Sequence, residues 1–349
     1  MYIFVTYGLK GWRGVQERGL AIAKNFKKKG VLFLNGYDSN FIKKEGFSCE
    51  TIDLSLTDPQ KIKFPKKTKA IIFADLPTNE LFNLSLFLAA KEKGIPTIVF
   101  DQIYKRGQLK EGVYKNLAEY ADLLILNGLK FMKGEEGERV KIIPPLPDYK
   151  IQPKIREKIS LKYNLDPKKF WIFISGYYKP VFEMTKRALP LISKNKKDFY
   201  LILLPYLPQR KFLEFLDASD IFTSKFGYLQ ILEALALRTP VIVGGEAGYV
   251  LRMEILDKKI QEVIKYAKDF RELAKILNSF LENKKERRKI INKMAKLHNL
   301  SFGGAKIAAG YIKKIKRKKT KKPFKKKILV LVNEEIKKAE KLIKSQPFL

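Results

Sequence analysis

The sequence predicts an α/β protein of two domains, each built on a mostly parallel sheet. In the first half, short apolar runs of strand length alternate with amphipathic stretches of helix length, the rhythm of repeated βαβ units. That rhythm breaks at PPLPDYKIQP, Pro144 to Pro153, where four prolines in ten residues cannot sit inside a helix or a central strand. It resumes at FWIFIS, and 349 residues suit two cores of ordinary size better than one.

In chain order, the opening strand is Tyr2 to Thr6, before a glycine-rich turn and a helix from about Val15 to Lys29. A strand at Val31 to Leu34 follows. The clearest unit is AIIFAD, Ala70 to Asp75, a helix from about Asn79 to Lys93, and GIPTIVFDQ, in which Gly94 stops the helix and Ile95 to Phe100 forms the next strand. Leu123 to Leu126 and Val140 to Ile143 bring the sheet to about six strands. The second half reads as Phe170 to Ser175, a helix near Val181, Tyr200 to Leu204, a helix over Lys211 to Leu216, and the segment Ser219 to Gly245, then helical through about Ile315. The expected division is residues 1–145, a linker over 146–168, a second domain over 169–315 and a basic extension over 316–349, in which ILVLV and a charged helix, Glu334 to Lys344, follow the lysine run.

A hydrophobic share of 46% with 31% charged residues is that of a chain able to bury a core. Neither the first residues, MYIFVTYGLKGW, nor any later run has the apolar length of an export signal or a membrane span, so a cytoplasmic protein is expected. One cysteine, Cys49, excludes an intramolecular disulfide, and one histidine, His298, leaves little for a Cys/His metal site. Abundant lysine and isoleucine with interspersed charges suits a thermophile. The formal charge is +35; twelve of those charges lie between Lys306 and Lys327, and removing them leaves +23 on the rest. Such a field attracts nucleotides, anionic lipid headgroups or nucleic acid, and equally serves as a solvated surface.

The most informative segment is SDIFTSKFGYLQILEALALRTPVIVGG, Ser219 to Gly245. It reads as a strand, a turn at Gly227, a helix from about Tyr228 to Leu237, and a strand beginning after Pro240. The amides at that helix N-terminus are suited to an anion. Glu233 supplies a carboxylate able to accept two hydrogen bonds from a ribose diol, and Lys225 beside the turn suits a diphosphate.

Gly227, Tyr228, Glu233, Ala234, Leu235, Thr239, Pro240, Val241 and Ile242 stand at the spacing of the GT-B glycosyltransferases, and the chain resembles most the membrane-peripheral N-acetylglucosaminyltransferases of peptidoglycan synthesis. GWRGVQERGLAIAKNFKKKG adds Gly14, Arg18, Leu20, Ala21 and Ala23 to the match, with Val15 where the family has a histidine. The resemblance implies two Rossmann-like domains facing a cleft. Nucleotide-sugar binding then falls to Ser175, Gly176, Lys225, Gly227, Tyr228, Gln230 and Glu233, and the acceptor side to a loop with Gly11, Arg13, Gly14 and Arg18. It covers residues 1 to 315 by architecture, but by motif only these two stretches. The family's stretch between the strand at Leu204 and Asp220 is shortened to fifteen residues, and GGEAGYVLR, with Glu246, replaces its sugar-contacting segment.

Valine neither takes nor gives a proton, so a base would be a carboxylate. Strand ends facing the cleft select Asp75 and Asp101, with Glu17 in the turn as a third, each also suited to a helix cap or an ion pair. No Asp-x-Asp motif is present, and GT-B chemistry needs no metal because helix dipoles and basic groups stabilise the leaving group. The expected function is transfer of a sugar, UDP-linked by first choice, to an anionic glycan or lipid-linked acceptor, with peripheral association at an anionic membrane. A GT-B protein that binds without catalysing, a nucleotide-sugar hydrolase or epimerase, and a nucleic-acid-binding protein are the alternatives.

Overall fold

The computed structural model describes residues 1–6, 13–35, 39–51, 62–77, 81–175, 179–192, 199–204, 208–224, 227–244, 253–297 and 302–316. Its first unit runs β1 (Tyr2–Val5), α1 (Arg13–Ala23), β2 (Val31–Asn35), α2 (Asn40–Lys44), β3 (Ser48–Thr51), β4 (Ala70–Phe73), α3 (Leu81–Glu92), β5 (Thr97–Gln102), α4 (Gly112–Tyr120), β6 (Leu123–Asn127) and β7 (Val140–Ile143). These strands form one seven-stranded parallel sheet in the order β3-β2-β1-β4-β5-β6-β7. The second unit runs α5 (Ile155–Tyr163), β8 (Phe170–Ser175), α6 (Lys179–Ala188), β9 (Phe199–Leu204), α7 (Gln209–Ala218), β10 (Ile221–Ser224), α8 (Tyr228–Leu237), β11 (Val241–Gly244), α9 (Lys258–Gln261), β12 (Ile264–Ala267), α10 (Phe270–Glu282), α11 (Lys284–Leu297) and α12 (Gly304–Lys314). Its sheet is parallel and five-stranded, in the order β12-β11-β10-β8-β9.

β4 is apolar at every position and β6 at all but its last, Asn127, because helices cover both faces. Phe4, Ile72, Ile98, Phe100 and Ile125 turn to one face, whereas Val5, Ile71, Phe73, Val99 and Leu124 turn to the other. In each sheet the strand order reverses at one point, between β1 and β4 and between β8 and β10, and a parallel sheet opens a crevice at its C-terminal edge there.

Several sequence expectations change. The sheet gains β3, whose four residues SCET lack an apolar run, and the second unit gains β12 inside a stretch expected to be helical, since KYA interrupts its helical period only briefly. Helix α1 ends at Ala23 and not near Lys29, because NFKKKG continues into a short 3-10 turn before β2. Helix α5 lies inside the expected linker and packs against α7, with the Tyr149 hydroxyl donating to Asp217 at 2.9 Å.

Helix α12 crosses back to the first unit and packs on α1, β6 and β7, although its sequence position places it with the second. Its amides at Gly303, Gly304 and Ala305 donate to the carbonyls of Pro147, Pro145 and Leu146 at 2.7, 2.9 and 3.1 Å. The proline-rich break offers free carbonyls, and the start of α12 offers free amides. A Cβ at Gly304 would lie 2.0 Å from the Pro144 carbonyl oxygen, so the approach requires glycine. Gly304→Ala is expected to destabilise the protein by about 1–3 kcal/mol in urea unfolding, the usual cost of forcing atoms into a packed contact; an unchanged midpoint would show that α12 yields easily.

Candidate active site

Helix α1 lies close against β1 because residue 19 is glycine: a Cβ there would come within 2.4 Å of the Thr6 side chain. This brings Arg18, the preceding residue, over the ends of β4 and β5. Its guanidinium lies 3.9 Å from Asp75 and 3.7 Å from Asp101, while Nε donates to the Gly14 carbonyl at 3.3 Å. Among the described residues, buried Nη1 has no hydrogen-bond partner, nor has Thr6 Oγ1 nearby on the chain after β1. The arginine thus neutralises two carboxylates without closing tightly on either.

Asp101 is 5% exposed. One carboxyl oxygen accepts the Tyr114 hydroxyl of α4 at 2.6 Å, and the other faces Arg18. Burial pushes its pKa up to about 6, with Asp75 adding to the rise and Arg18 and Tyr114 opposing it. Tyr114 is driven upward by burial and by Asp101, so the phenol keeps its proton and acts as a fixed donor. Asp75, partly exposed, accepts the Leu76 amide at 2.9 Å, the turn-capping role open to it from sequence.

Across the cleft, β10 leads through Gly227, which offers no side-chain cap, to α8. Gln230 folds back over this turn: a Cβ at Gly227 would meet its Oε1 at 3.1 Å, and the Ser224 hydroxyl donates to that oxygen at 2.8 Å. Glu233, 6% exposed, accepts from Gln209 Nε2 of α7 at 2.7 Å. Burial raises its pKa to about 8, the negative charge of Glu17 adding to the rise and Gln209 opposing it. Sequence describes Glu233 as a donor-free carboxylate; its buried setting instead keeps it protonated at neutral pH.

The structure brings Arg18, Asp75 and Asp101 together on the first unit and Gly227, Gln230 and Glu233 together on the second. Glu17 connects the two electrostatically, since its charge reaches Glu233. Arg13 opens α1 and Ser175 closes β8, but Gly11, Gly176, Lys225, Glu246, His298 and residues 317–349 lie outside the described residues. The segment expected to be the acceptor loop is helical from Arg13 onward, so Gly14 and Arg18 lie on α1, with Gly14 exposed in its first turn. Val15 is 1% exposed and packs into the core. The phenol of Tyr228 donates to the Ile103 carbonyl of the first unit, which leaves its backbone amide as the part near the helix N-terminus. Tyr114 and Gln209 were not foreseen: each meets its partner only through tertiary contact, 13 and 24 residues away along the chain.

Tyr228 follows β10 and Ile103 follows β5, so their contact turns the C-terminal edges of the two sheets toward one cleft. The chain is similar to MurG of Acinetobacter baumannii, with a TM-score of 0.60 at 12% identity over 90% of this chain and 99% of that one. The fold is GT-B. Two further GT-B structures agree: the calicheamicin glycosyltransferase CalG4, with a TM-score of 0.58 at 10% identity over 89% of this chain and 97% of that one, and Arabidopsis thaliana UGT89C1 complexed with UDP, 0.56 at 12% over 89% and 99%. No protein-family model and no curated protein matches the sequence. Among the described residues no helix is long and apolar enough to cross a membrane, and no group of three or more histidine, cysteine, aspartate or glutamate side chains is placed to hold a metal ion.

In this GT-B cleft Glu233 makes stability depend on pH. Its folded pKa lies above the ordinary 4.5, so its contribution is fully present below about 4.5 and is lost as pH rises through about 8. Glu233→Gln is therefore expected to raise the melting temperature by several degrees relative to the natural protein at pH 8.5, with the difference vanishing near pH 4. A constant difference across that range would remove the buried carboxyl as its cause.

Proposed function

We propose that this GT-B protein transfers a sugar from a nucleotide-sugar, a UDP-sugar by first choice, to a hydroxyl of an anionic glycan or lipid-linked acceptor. The observation that carries the proposal is the pairing across one cleft of a buried carboxyl with a tuned pKa, Asp101, and a helix N-terminus of nucleotide-site spacing, Gly227 to Glu233. The choice of UDP draws on Arabidopsis thaliana UGT89C1, a protein of this fold complexed with UDP.

In the proposed reaction Glu233 holds the ribose diol. The diphosphate lies at the α8 amides, with Lys225, Ser175 and Gly176 beside it, and no metal is required. The acceptor hydroxyl oxygen attacks the anomeric carbon as its proton passes to Asp101. The bond from that carbon to the diphosphate oxygen breaks, and the nucleoside diphosphate leaves with the electron pair. Arg18 stabilises the ionised Asp101, Asp75 completes the cluster, and Glu17 stands at the acceptor entrance of α1. The basic surface draws anionic acceptors and allows peripheral contact with an anionic membrane.

Calorimetry with UDP-, GDP-, CMP- and dTDP-sugars tests the donor half: binding of one class, weakened at least about tenfold by Glu233→Ala, is expected. No binding by the natural protein, or equal binding by the variant, would sink it. For the chemical half, kcat/KM is expected to rise with pH through about 6 as Asp101 loses its proton, and Asp101→Asn to lower it at least about a hundredfold. Because Tyr114 stabilises the ionised form, Tyr114→Phe should move that limb to higher pH. Donor binding without transfer would favour a binding protein, the reading suggested by Val15 filling the core where the family has an imidazole, and sugar release to water would favour a hydrolase.

A further inference from the structure

Beyond the donor and acceptor groups, the second unit also contacts a short segment of the first. Ile103 to Gly107 follows β5 directly, and β5 carries Asp101. The Ile103 carbonyl accepts the phenol of Tyr228, the first residue of α8, whose ring packs against Tyr104 with centroids 4.7 Å apart. The Tyr104 carbonyl accepts the Asp257 amide at 2.8 Å. The Asp257 carboxylate in turn accepts Arg106 Nε at 3.0 Å and caps α9 through the Lys259 amide at 3.1 Å. Arg106 of the first unit and Lys259 of the second both lie over the Phe131 ring, at 5.6 and 5.2 Å.

These contacts are built in. Asp257 is 6% exposed, and although burial pushes its carboxyl up, the bonds from Arg106 and the Lys259 amide hold it below the usual carboxylate range. Tyr228 is 4% exposed with its hydroxyl satisfied. Within the first unit the segment is fixed by Gln108, which accepts the Tyr104 amide at 2.7 Å and donates to the Gln102 carbonyl at 3.1 Å, and by Glu135, which accepts the Gly107 amide at 3.0 Å. One residue, Gln102, separates Asp101 from Ile103, whose carbonyl is bound by the donor-site helix. A displacement of that helix is therefore passed to the end of β5 through a stiff strand.

We infer that Tyr228 and Asp257 are positioning residues, which grip Ile103–Arg106 and thereby set Asp101 at a fixed place relative to the N-terminus of α8. The catalytic part of this inference rests on the proposed transferase reading, but the grip itself does not. Neither residue touches the reacting atoms in this assignment; both act through the backbone of the segment.

Tyr228→Phe keeps the ring and removes one hydrogen bond; Asp257→Asn keeps a cap for α9 and removes the ion pair. Arg106→Gln breaks that same pair from the exposed side. Hydrogen–deuterium exchange of the peptide over residues 103–110 reads the grip without substrate: each variant is expected to exchange there at least about fivefold faster than the natural full-length protein. In the Arg106→Gln and Asp257→Asn proteins kcat should fall about tenfold to a hundredfold with donor affinity within about twofold, and the acid limb near pH 6 should shift; Tyr228 opens the donor-site helix, so Tyr228→Phe is read by exchange. Arg106→Gln and Asp257→Asn should combine non-additively because they break one pair. Unchanged protection over 103–110 in all three variants overturns the inference whether or not transfer occurs. Faster exchange with an unaltered kcat and pH limb reduces the grip to a structural joint and overturns the positioning role. If the natural protein shows no transfer, the transferase reading fails separately, and exchange alone decides the grip.

Discussion

The hydrogen bond from the Tyr228 phenol to the Ile103 carbonyl joins the two halves of this molecule at the point where both carry their polar groups. Parallel strands all end on the same edge, so each sheet collects its non-core side chains along one rim. On the first rim stand Thr6, Asp75 and Asp101; on the second stand Ser224, Gly227 and, one and a half turns into α8, Glu233. Burial is the largest cause of the raised pKa of both Asp101 and Glu233.

The two carboxyls answer burial differently because their neighbours differ. Asp101 has a guanidinium and a phenol, both favouring its charge, and remains poised near pH 6. Glu233 has one amide donor against the negative charge of Glu17, and its ionisation moves to about pH 8. The two environments thus separate the ionisations of two buried carboxyls, one near pH 6 and one near pH 8.

Stability and positioning share the same contacts. The α12 helix satisfies the carbonyls of the proline-rich crossing and returns the chain to the first unit, so the joint between units is crossed twice by covalent chain. The Ile103–Arg106 segment adds hydrogen bonds, an ion pair and ring packing on the cleft side.

What the sequence determined by itself was everything set by local periodicity and turn chemistry. β8 spans Phe170 to Ser175 and α8 spans Tyr228 to Leu237 as read, because an apolar run defines the first and the turn at Gly227 opens the second. The strand-turn-helix-strand motif and the two-domain α/β plan were legible for the same reason. Short β3 and β12 were not, since SCET and IKYA carry too little apolar signal, and the docking of α12 on the first unit leaves no local signal because the carbonyls it binds lie more than 150 residues away. Sequence named Asp75, Asp101 and Arg18 one at a time; only the close approach of α1 at Gly19 made them a cluster. Tyr114, Gln209 and the gripping role of Tyr228 belong wholly to the tertiary structure. A hydrogen bond between distant residues leaves no period or spacing in the chain, and a pKa depends on what surrounds a group in space.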